Sequence, residues 1–273
     1  MTITSATTWL ASYPKSGNTW VRAQLDALES GQQPDFNSLN KSGTHDRMDS
    51  SLGVPLGDLS DAETASMLRL SWAVYQPSHG AVIRRKTHRS WSVAADGFPI
   101  PWQPPHAKVI YIVRDPRAVV ASWAHHLGVG MEEAVEVMGM TKVENGLPDA
   151  HGEQDLVSWS EHVTSWLDDC TLPLLMVRYE DMLLEPEREL ARMADFMDMS
   201  TTAEDIANAT QACEFSSLAA REIFEGFSEA ARPGASFFRR GEAEAWKWEV
   251  DAETIDRVCL DHGPVMKRLG YLT

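Results

Sequence analysis

The chain has 273 residues, of which 43% are apolar, so it is long enough to bury a sizeable core, and we expect one domain spanning residues 1–273. Its 40 acidic and 24 basic side chains give a formal net charge of −16, which argues against nucleic acid or an anionic membrane as a partner. The sequence has three cysteines without a C-x-x-C pair and no apolar run long enough to span a bilayer, which predicts a soluble cytoplasmic protein. No metal site is recognisable either, because His125 and His126 fall near the end of a predicted helix, where a helix-terminus role is favoured over ligation.

Residues 8–22, TWLASYPKSGNTWVR, predict a short apolar strand, a compact loop and the start of a helix. Backbone N–H groups at a helix N-terminus have no partner within the helix, so a loop of small residues there can wrap a phosphate. Four consecutive residues are suited to such a loop, namely Ser16, Gly17, Asn18 and Thr19. Lys15 adds a charge before them and Trp20 a flat ring after them, which together indicate a nucleotide. The alternative is that Lys15 is a solvated surface lysine and Trp20 a core residue of an amphipathic helix.

The next part of the chain contains a predicted loop, a helix and a strand. Residues 31–60 lack apolar periodicity and predict a long surface excursion. Helical spacing returns over 62–75, and 81–87 is predicted to be a strand. Four prolines then make 97–107 a rigid, non-helical connector.

The strongest strand signal is the apolar, β-branched run at 108–114, which is typical of a strand buried on both faces of a parallel sheet. Asp115 is placed to cap the following helix, whose first position, Pro116, tolerates a missing N–H. Residues 128–152 contain five glycines and little pattern, so we expect a second excursion there.

In the C-terminal half, apolar spacing predicts a helix over 156–170, a buried strand at 172–181 and a further helix opened by Pro186. Residues 219–245 mix charges, glycines and aromatics, and we interpret them as a lid or loop. A final helix is predicted at about 251–269.

This alternation predicts an α/β fold, a single three-layer domain with a central parallel sheet and helices on both sides. Ligands of such sheets bind beyond the carboxyl ends of the strands. The loop at 12–19, His88, Arg114 and Tyr179 all fall at predicted strand ends, so we expect the functional site there.

Four segments, in this order, resemble the sulfotransferases that use 3′-phosphoadenosine 5′-phosphosulfate (PAPS). SYPKSGNTW, 12–20, is similar to the family's 5′-phosphosulfate loop, and KTH, 86–88, to the strand end that carries its catalytic base. VRDPRAVVAS, 113–122, resembles the 3′-phosphate motif, and FRRGEAEAWK, 238–247, the C-terminal R-K-G-x-x-G-D-W-K loop. The resemblance spans nearly the whole chain and implies a P-loop-nucleotide-hydrolase-like fold with mobile acceptor-side loops.

The implied reaction moves a sulfuryl group from PAPS to a hydroxyl of a small-molecule acceptor, an alcohol or a phenol, with 3′-phosphoadenosine 5′-phosphate (PAP) as product and no metal. His88 is then the general base, since imidazole titrates near neutral pH. Lys15 then stabilises the negative charge that develops on the bridging oxygen, and Lys86 binds the sulfuryl oxygens. Residues 16–19 hold the 5′-phosphate.

The resemblance also implies how the rest of the donor is bound. Five residues correspond to the family's 3′-phosphate site: Arg114, Ser122, Arg239, Arg240 and Gly241. Three aromatic residues correspond to its adenine site: Trp20, Tyr179 and Phe215. Taken singly, each residue has a structural alternative, such as an arginine paired with an acid at a strand end or an aromatic ring in the core.

The chain departs from the family pattern at three places. Asn18 replaces a more familiar threonine, Glu244 and Ala245 stand where Gly-Asp is common, and Cys213 with Glu214 precedes Phe215 where hydroxyl residues are frequent. The last two departures fall in the C-terminal loop and beside the residue that corresponds to the adenine site. The short chain and the form WLASYPKSGNTW resemble bacterial sulfotransferases that modify natural products or other small alcohols and phenols, a resemblance that implies a role in secondary metabolism.

Two other functions stay open at this stage. A kinase of nucleotides or small molecules would use a G-x-x-x-x-G-K-[ST] loop, which is absent here because Lys15 precedes the loop's glycine. A non-catalytic nucleotide-binding module would have little need of His88. The sequence leaves homodimer formation open, and six aromatic residues are candidates for lining an acceptor pocket: Trp91, Phe98, Trp102, Trp123, Phe224 and Phe227.

Overall fold

The structure, a computed structural model, describes residues 7–35, 37, 39, 60, 63, 65–67, 69–70, 83–94, 96–99, 106–140, 156–230 and 236–272. Most of the predicted excursion at 31–60, part of the excursion at 128–152, and Trp102 lie outside these residues. The described residues at 63–70 are helical, in agreement with the predicted helix there.

A central parallel sheet organises the described part of the chain. Its strands are β1 (Thr7–Ser12), β2 (Ile83–Thr87), β3 (Lys108–Val113) and β4 (Leu174–Arg178), and their order in the sheet is β2-β1-β3-β4. All three pairings are parallel, with Trp9 opposite Arg85 on one side and Val109 on the other. The parallel sheet predicted from the sequence is therefore confirmed.

Helices cover both faces of this sheet, because the side chains of the central strands alternate between two apolar clusters. Trp9 and Val109 belong to one cluster, together with helices near the C-terminus. Leu10 and Ile110 belong to the other, with the helix that follows β1. Every residue of β1 is buried, as expected for a strand with a helical layer on each side.

The described helices whose two ends are both given follow in chain order. They are α1 (Asn18–Ser30), α2 (Pro116–Leu127), α3 (Met131–Gly139), α4 (Trp159–Thr164), α5 (Tyr179–Leu184), α6 (Pro186–Phe196), α7 (Ala203–Ala212), α8 (Phe215–Glu225), α9 (Trp246–Glu249) and α10 (Ala252–Arg268). A π-helical turn, Ser165–Asp169, continues α4. The predicted cap of α2 is confirmed, since the Asp115 carboxylate accepts a hydrogen bond from the Arg117 N–H and Pro116 occupies the first turn.

Two predicted excursions are partly wrong. The segment 128–152 contains α3, whose residues Ala134, Val135 and Met138 are buried at helical spacing against the core. The glycines that bound this helix suggested a loop, but they lie at its ends. The segment 219–245 begins inside α8 and becomes irregular only after Glu225.

The carboxyl ends of the strands place the predicted residues along one edge of the sheet. The loop after β1 leads into α1, and His88 directly follows β2. Arg114 follows β3, and Tyr179 directly follows β4, where it begins α5. The strand predicted to reach residue 181 ends at Arg178. The extent of the domain, 1–273, stays a prediction.

Candidate active site

A cleft of about 740 Å³, including its open mouth, lies at the carboxyl edge of the sheet. Most of the predicted site residues line it: Lys15, Gly17, Asn18, Thr19, Trp20, Lys86, His88, Arg114, Ser122, Tyr179 and Phe215. Five separate segments of the chain supply them, at 15–20, 86–88, 114–122, 179 and 215, so the fold brings together what the motifs indicated separately. Ser16, Arg239, Arg240 and Gly241 lie outside its lining.

The loop after β1 has a backbone that only some residues tolerate. Lys15 and Gly17 have φ angles of 65° and 98°, in the left-handed region. A Cβ atom on Gly17 would lie 2.6 Å from the Tyr179 ring, so the close approach of that ring also requires glycine. The loop thus delivers the N-terminus of α1, without any acidic side chain in its first turn, to the cleft.

The polar side chains of this loop point largely into the protein. Asn18 Nδ2 donates to the Leu10 carbonyl at 2.9 Å and to Ser12 Oγ at 3.3 Å, which ties the start of α1 to β1. Ser16 Oγ is buried and has no hydrogen-bond partner among the described residues. An orphaned hydroxyl beside a helix N-terminus fits a loop that awaits an anion.

Lys15 lies at the centre of a group of cations. Its Nζ is 3.3 Å from His126 Nδ1 and 4.2 Å from the centre of the Phe237 ring. Desolvation in the cleft, followed by the charges of Lys86 and Arg114, lowers the pKa of Lys15 to about 7. Arg114 also donates to the Lys15 carbonyl at 3.0 Å. Positive charge held this close together favours binding of an anion.

His88 is held in one tautomer by the backbone. Its Nδ1 lies 2.8 Å from the Ser12 carbonyl oxygen, and because a carbonyl can only accept, Nδ1 carries the proton. In the neutral ring Nε2 is then the basic nitrogen. Lys86, two residues earlier, is equally buried and lines the same cleft.

Glu229 is a site residue that the sequence analysis missed. It lines the cleft with only 4% of its side chain exposed and forms an ion pair with Arg22 at 2.8 Å. It lies 3.9 Å from Lys86 Nζ. Burial raises its pKa, but the charges of Lys86 and Arg22 and hydrogen bonds from Arg22 and Thr19 outweigh burial and lower the pKa to about 2.

The Thr19 hydroxyl is already engaged by this ion pair. It donates to Glu229 at 2.9 Å and accepts from Arg22 at 2.9 Å. At Thr19 the backbone N–H at the N-terminus of α1, and not the hydroxyl, is the candidate donor to an anion. No local signal could have revealed this, since Arg22 and Glu229 are 207 positions apart in the chain.

The predicted 3′-phosphate residues do not all lie in the same place. Ser122 and Arg239 share a smaller cavity of about 280 Å³ with Lys15, next to the main cleft. Arg114 lies over the Tyr179 ring, 4.3 Å from its centre. Arg240 is half exposed and lines neither cavity, and Gly241 packs on Phe215, where a Cβ atom would lie 2.4 Å from the ring.

Two further carboxylates hold the C-terminal loop and were also missed. Glu222 of α8 accepts hydrogen bonds from the Phe237 and Phe238 N–H groups at 2.5 and 2.9 Å. It thereby positions Phe237 over Lys15. Glu249 of α9 accepts hydrogen bonds from both Arg239 and Arg240.

The three predicted adenine-binding rings line the same cleft. The Trp20 and Tyr179 rings meet edge to face with centres 5.8 Å apart. Trp20 Nε1 donates to the Cys213 carbonyl at 2.8 Å, which fixes the indole. Phe215 packs edge to face on Phe238, 6.1 Å away.

The aromatic residues predicted to line an acceptor pocket lie in different environments. Among the described ones, Trp123 lines the cleft. Trp91 packs on Trp166 in the core, and Phe227 on Phe237, so both are better explained by packing. Phe98 and Phe224 are 63% and 87% exposed.

Neither a membrane span nor a metal cluster is found in the part of the chain that the structure describes. No helix there is long and apolar enough to cross a bilayer. No three His, Cys, Asp or Glu side chains there are grouped so that they could hold a metal ion. The sequence prediction of a metal-free site stays a prediction.

Comparisons with known proteins agree with the geometry. The family model described as "Sulfotransferase domain" matches residues 5–270. Sulfotransferase 1A1 of Bos taurus is 26% identical over 216 residues, which cover 77% of this chain and 64% of that protein. Cytosolic sulfotransferase 10 of Arabidopsis thaliana is 25% identical over 260 residues, which cover 91% of this chain and 74% of that protein. The chain thus matches about two thirds to three quarters of the length of these relatives.

Solved structures share the fold. Mouse sulfotransferase SULT7A1 complexed with PAP superposes with a TM-score of 0.63 at 18% identity, covering 96% of this chain and 85% of that one. Retinol dehydratase in a complex with retinol and PAP gives a TM-score of 0.62 at 20% identity, covering 96% and 81%. At these identities the likeness establishes the architecture.

Proposed function

The chain belongs to the sulfotransferase domain family, and on that premise we propose that it transfers the sulfuryl group of PAPS to a hydroxyl of a small-molecule acceptor. The observation that carries this proposal is the convergence of Lys15, Lys86 and His88 on one cleft at the N-terminus of α1. A base, two cations and a set of backbone donors are the groups that this transfer requires.

His88 acts as the general base. The acceptor oxygen forms a bond to sulfur while the bond between sulfur and the bridging oxygen of the 5′-phosphate breaks. His88 Nε2 takes the hydroxyl proton, since Nδ1 is committed to the Ser12 carbonyl at 2.8 Å. PAP leaves with the additional negative charge on its 5′-phosphate.

The cations stabilise the charge that moves in this step. Lys15 donates to the bridging oxygen and Lys86 to the sulfuryl oxygens. Residues 16–19 hold the 5′-phosphate through their backbone N–H groups, with the Ser16 hydroxyl as an additional donor. Because the pKa of Lys15 is about 7, binding of an anion beside it favours its protonated, charged form.

The remaining residues bind the nucleotide. Arg114, Ser122 and Arg239 approach the 3′-phosphate, and the loop at Arg240 and Gly241 closes beside them. The adenine lies among the three rings that line the cleft: Trp20, Tyr179 and Phe215. Aromatic rings with fixed orientations can stack on a base without large loss of side-chain entropy.

A calorimetric titration with PAP, run beside AMP and beside ATP with magnesium, tests the proposal. We expect strong preference for PAP. Preference for magnesium ATP would support a kinase, and binding of PAP without turnover of PAPS on any hydroxyl acceptor would support a non-catalytic module. A PAPS assay with and without EDTA tests the predicted independence of metal, with equal rates expected.

A further inference from the structure

The chain provides its own anion for the two arginines assigned to the 3′-phosphate. Arg239 donates from both terminal nitrogens to Glu249, Nη1 to Oε1 at 2.6 Å and Nη2 to Oε2 at 2.5 Å. Arg240 Nε donates to the same Oε1 at 2.7 Å. A guanidinium fork uses this two-pronged geometry for carboxylates and for phosphates alike.

Burial makes this contact more than a surface ion pair. Only 10% of the Glu249 side chain is exposed, against 28% for Arg239 and 51% for Arg240. Burial raises the pKa of Glu249, but hydrogen bonds from the two arginines outweigh it and lower the pKa overall. The carboxylate therefore stays charged and cancels one of the two positive charges.

The contact lies at the edge of the donor site. Arg239 lines the smaller cavity together with Lys15 and Ser122. The next residues of the loop pass over Phe215, which lines the main cleft, at the close approach of Gly241. Glu249 ends α9, a few residues after this loop, so the loop and its competing anion belong to one short segment.

We propose that Glu249 is an internal competitor of the 3′-phosphate: Arg239 and Arg240 release Glu249 to bind the 3′-phosphate when the nucleotide arrives, and they return to Glu249 when PAP leaves. The inference rests on the proposed function of the two arginines. An internal competitor reduces the apparent affinity to the intrinsic affinity multiplied by the fraction of molecules in which the arginines are free. Glu249 thus weakens binding of PAPS and PAP and speeds release of the product.

Two glutamates of the same segment make a matched test. Glu249→Gln removes the competing charge, and Glu249→Ala removes the acceptor as well. Glu244→Gln removes an equal charge from a side chain that is 65% exposed and paired with Lys247. The readouts are the Kd of PAP and of AMP by calorimetry and the dissociation rate of PAP by stopped flow.

We expect both Glu249 variants to bind PAP about tenfold more tightly, with slower dissociation, as removal of an occupied competing state requires. Their affinity for AMP should change less than about twofold, because AMP has no 3′-phosphate that competes with Glu249. Both affinities of Glu244→Gln should change equally little, because Glu249 and the two arginines are intact in that variant. Unchanged or weaker binding of PAP by the Glu249 variants would overturn the inference, since Glu249 would then be irrelevant or would orient the arginines.

Arg239→Met separates this inference from the proposed function. If the wild-type protein does not prefer PAP to AMP, the proposed function fails and the inference fails with it. If the wild-type protein prefers PAP and Arg239→Met removes that preference, the 3′-phosphate assignment stands. Failure of Glu249→Gln to strengthen binding would then contradict the competitor alone.

Discussion

The Lys15 ammonium and the His126 imidazole lie in hydrogen-bond contact, with Nζ 3.3 Å from Nδ1. His126 comes from the last turn of α2, and it lines both the main cleft and the smaller cavity. Burial and the neighbouring cations place the pKa of Lys15 at about 7, so this lysine titrates in the range where an enzyme works.

Binding of PAP should therefore be linked to uptake of a proton. Above pH 7 Lys15 is largely neutral in the free protein, and the phosphates of the nucleotide favour its charged form, which raises its pKa in the complex. The affinity for PAP should fall with rising pH above 7, by at most about tenfold per pH unit for one proton.

Calorimetry at pH 8 in two buffers with different ionisation enthalpies measures this uptake. We expect a value approaching one proton per PAP for the wild-type protein and close to zero for Lys15→Met. Equal uptake in the variant would assign the proton to another group of the site, such as His126 or His88.

His88→Ala should abolish turnover while PAP binding stays nearly unchanged. Loss of a general base typically costs about 10²- to 10⁴-fold in rate. His106→Ala, at an exposed histidine, is the control and should keep full activity. Rates with PAPS and a phenolic acceptor, together with the Kd of PAP, give the two readouts, and a fully active His88→Ala would refute the assignment.

In the buried pair of Arg22 and Glu229, loss of the glutamate charge should lower the stability of the protein much more than loss of the arginine charge. Glu229→Gln leaves Arg22 and Lys86 without their shared carboxylate and should cost about 3–5 kcal/mol of unfolding free energy. Arg22→Met should cost less, because Lys86 and the Thr19 hydroxyl still face Glu229. Urea unfolding measures both values.

The double variant Arg22→Met/Glu229→Gln completes this cycle. It should be more stable than the sum of the single effects predicts, since only Lys86 then lacks the carboxylate and Arg22 is no longer a second unpaired charge. Strict additivity would mean that the two side chains do not depend on each other.

Gly241→Ala should have two effects. Its left-handed backbone conformation should lower the stability of the protein, and its contact with Phe215 should weaken the binding of PAP. Gly241 and Gly31 have similar φ angles, 67° and 65°, but a Cβ atom meets the Phe215 ring only at Gly241, since at Gly31 the space is open. Both alanine variants should lose roughly 1–2 kcal/mol of stability from the left-handed backbone.

Only Gly241→Ala should also displace Phe215 and lower the affinity for nucleotide. Gly17→Ala, which would bring a Cβ atom to 2.6 Å from Tyr179, should behave in the same way. Titration of the three variants with PAP, beside thermal unfolding, separates the two effects. A similar loss of affinity in Gly31→Ala would exclude the contact with Phe215 as the cause.

The amino-acid sequence determined the order of the strands and helices and the edge of the sheet at which the site lies. The β-branched run at 108–114, the cap at Asp115 and the loop before α1 are local signals, because neighbouring residues decide strand formation, capping and turns. Local pattern failed at α3, where glycines at the helix ends concealed a short apolar face, and at the end of β4, which stops at Arg178 and not at residue 181.

The tertiary structure alone decided which charges meet. Glu229 and Arg22 are 207 positions apart in the chain, and His126 and Lys15 are 111 positions apart. Contacts over such separations cannot be predicted from sequence spacing. Glu249 is close to Arg239 in the chain, but their contact depends on how the loop folds over Phe215. Coulomb energies and desolvation depend on distance in space and on burial, so the competing carboxylates and the low pKa of Lys15 emerge only once the chain is folded.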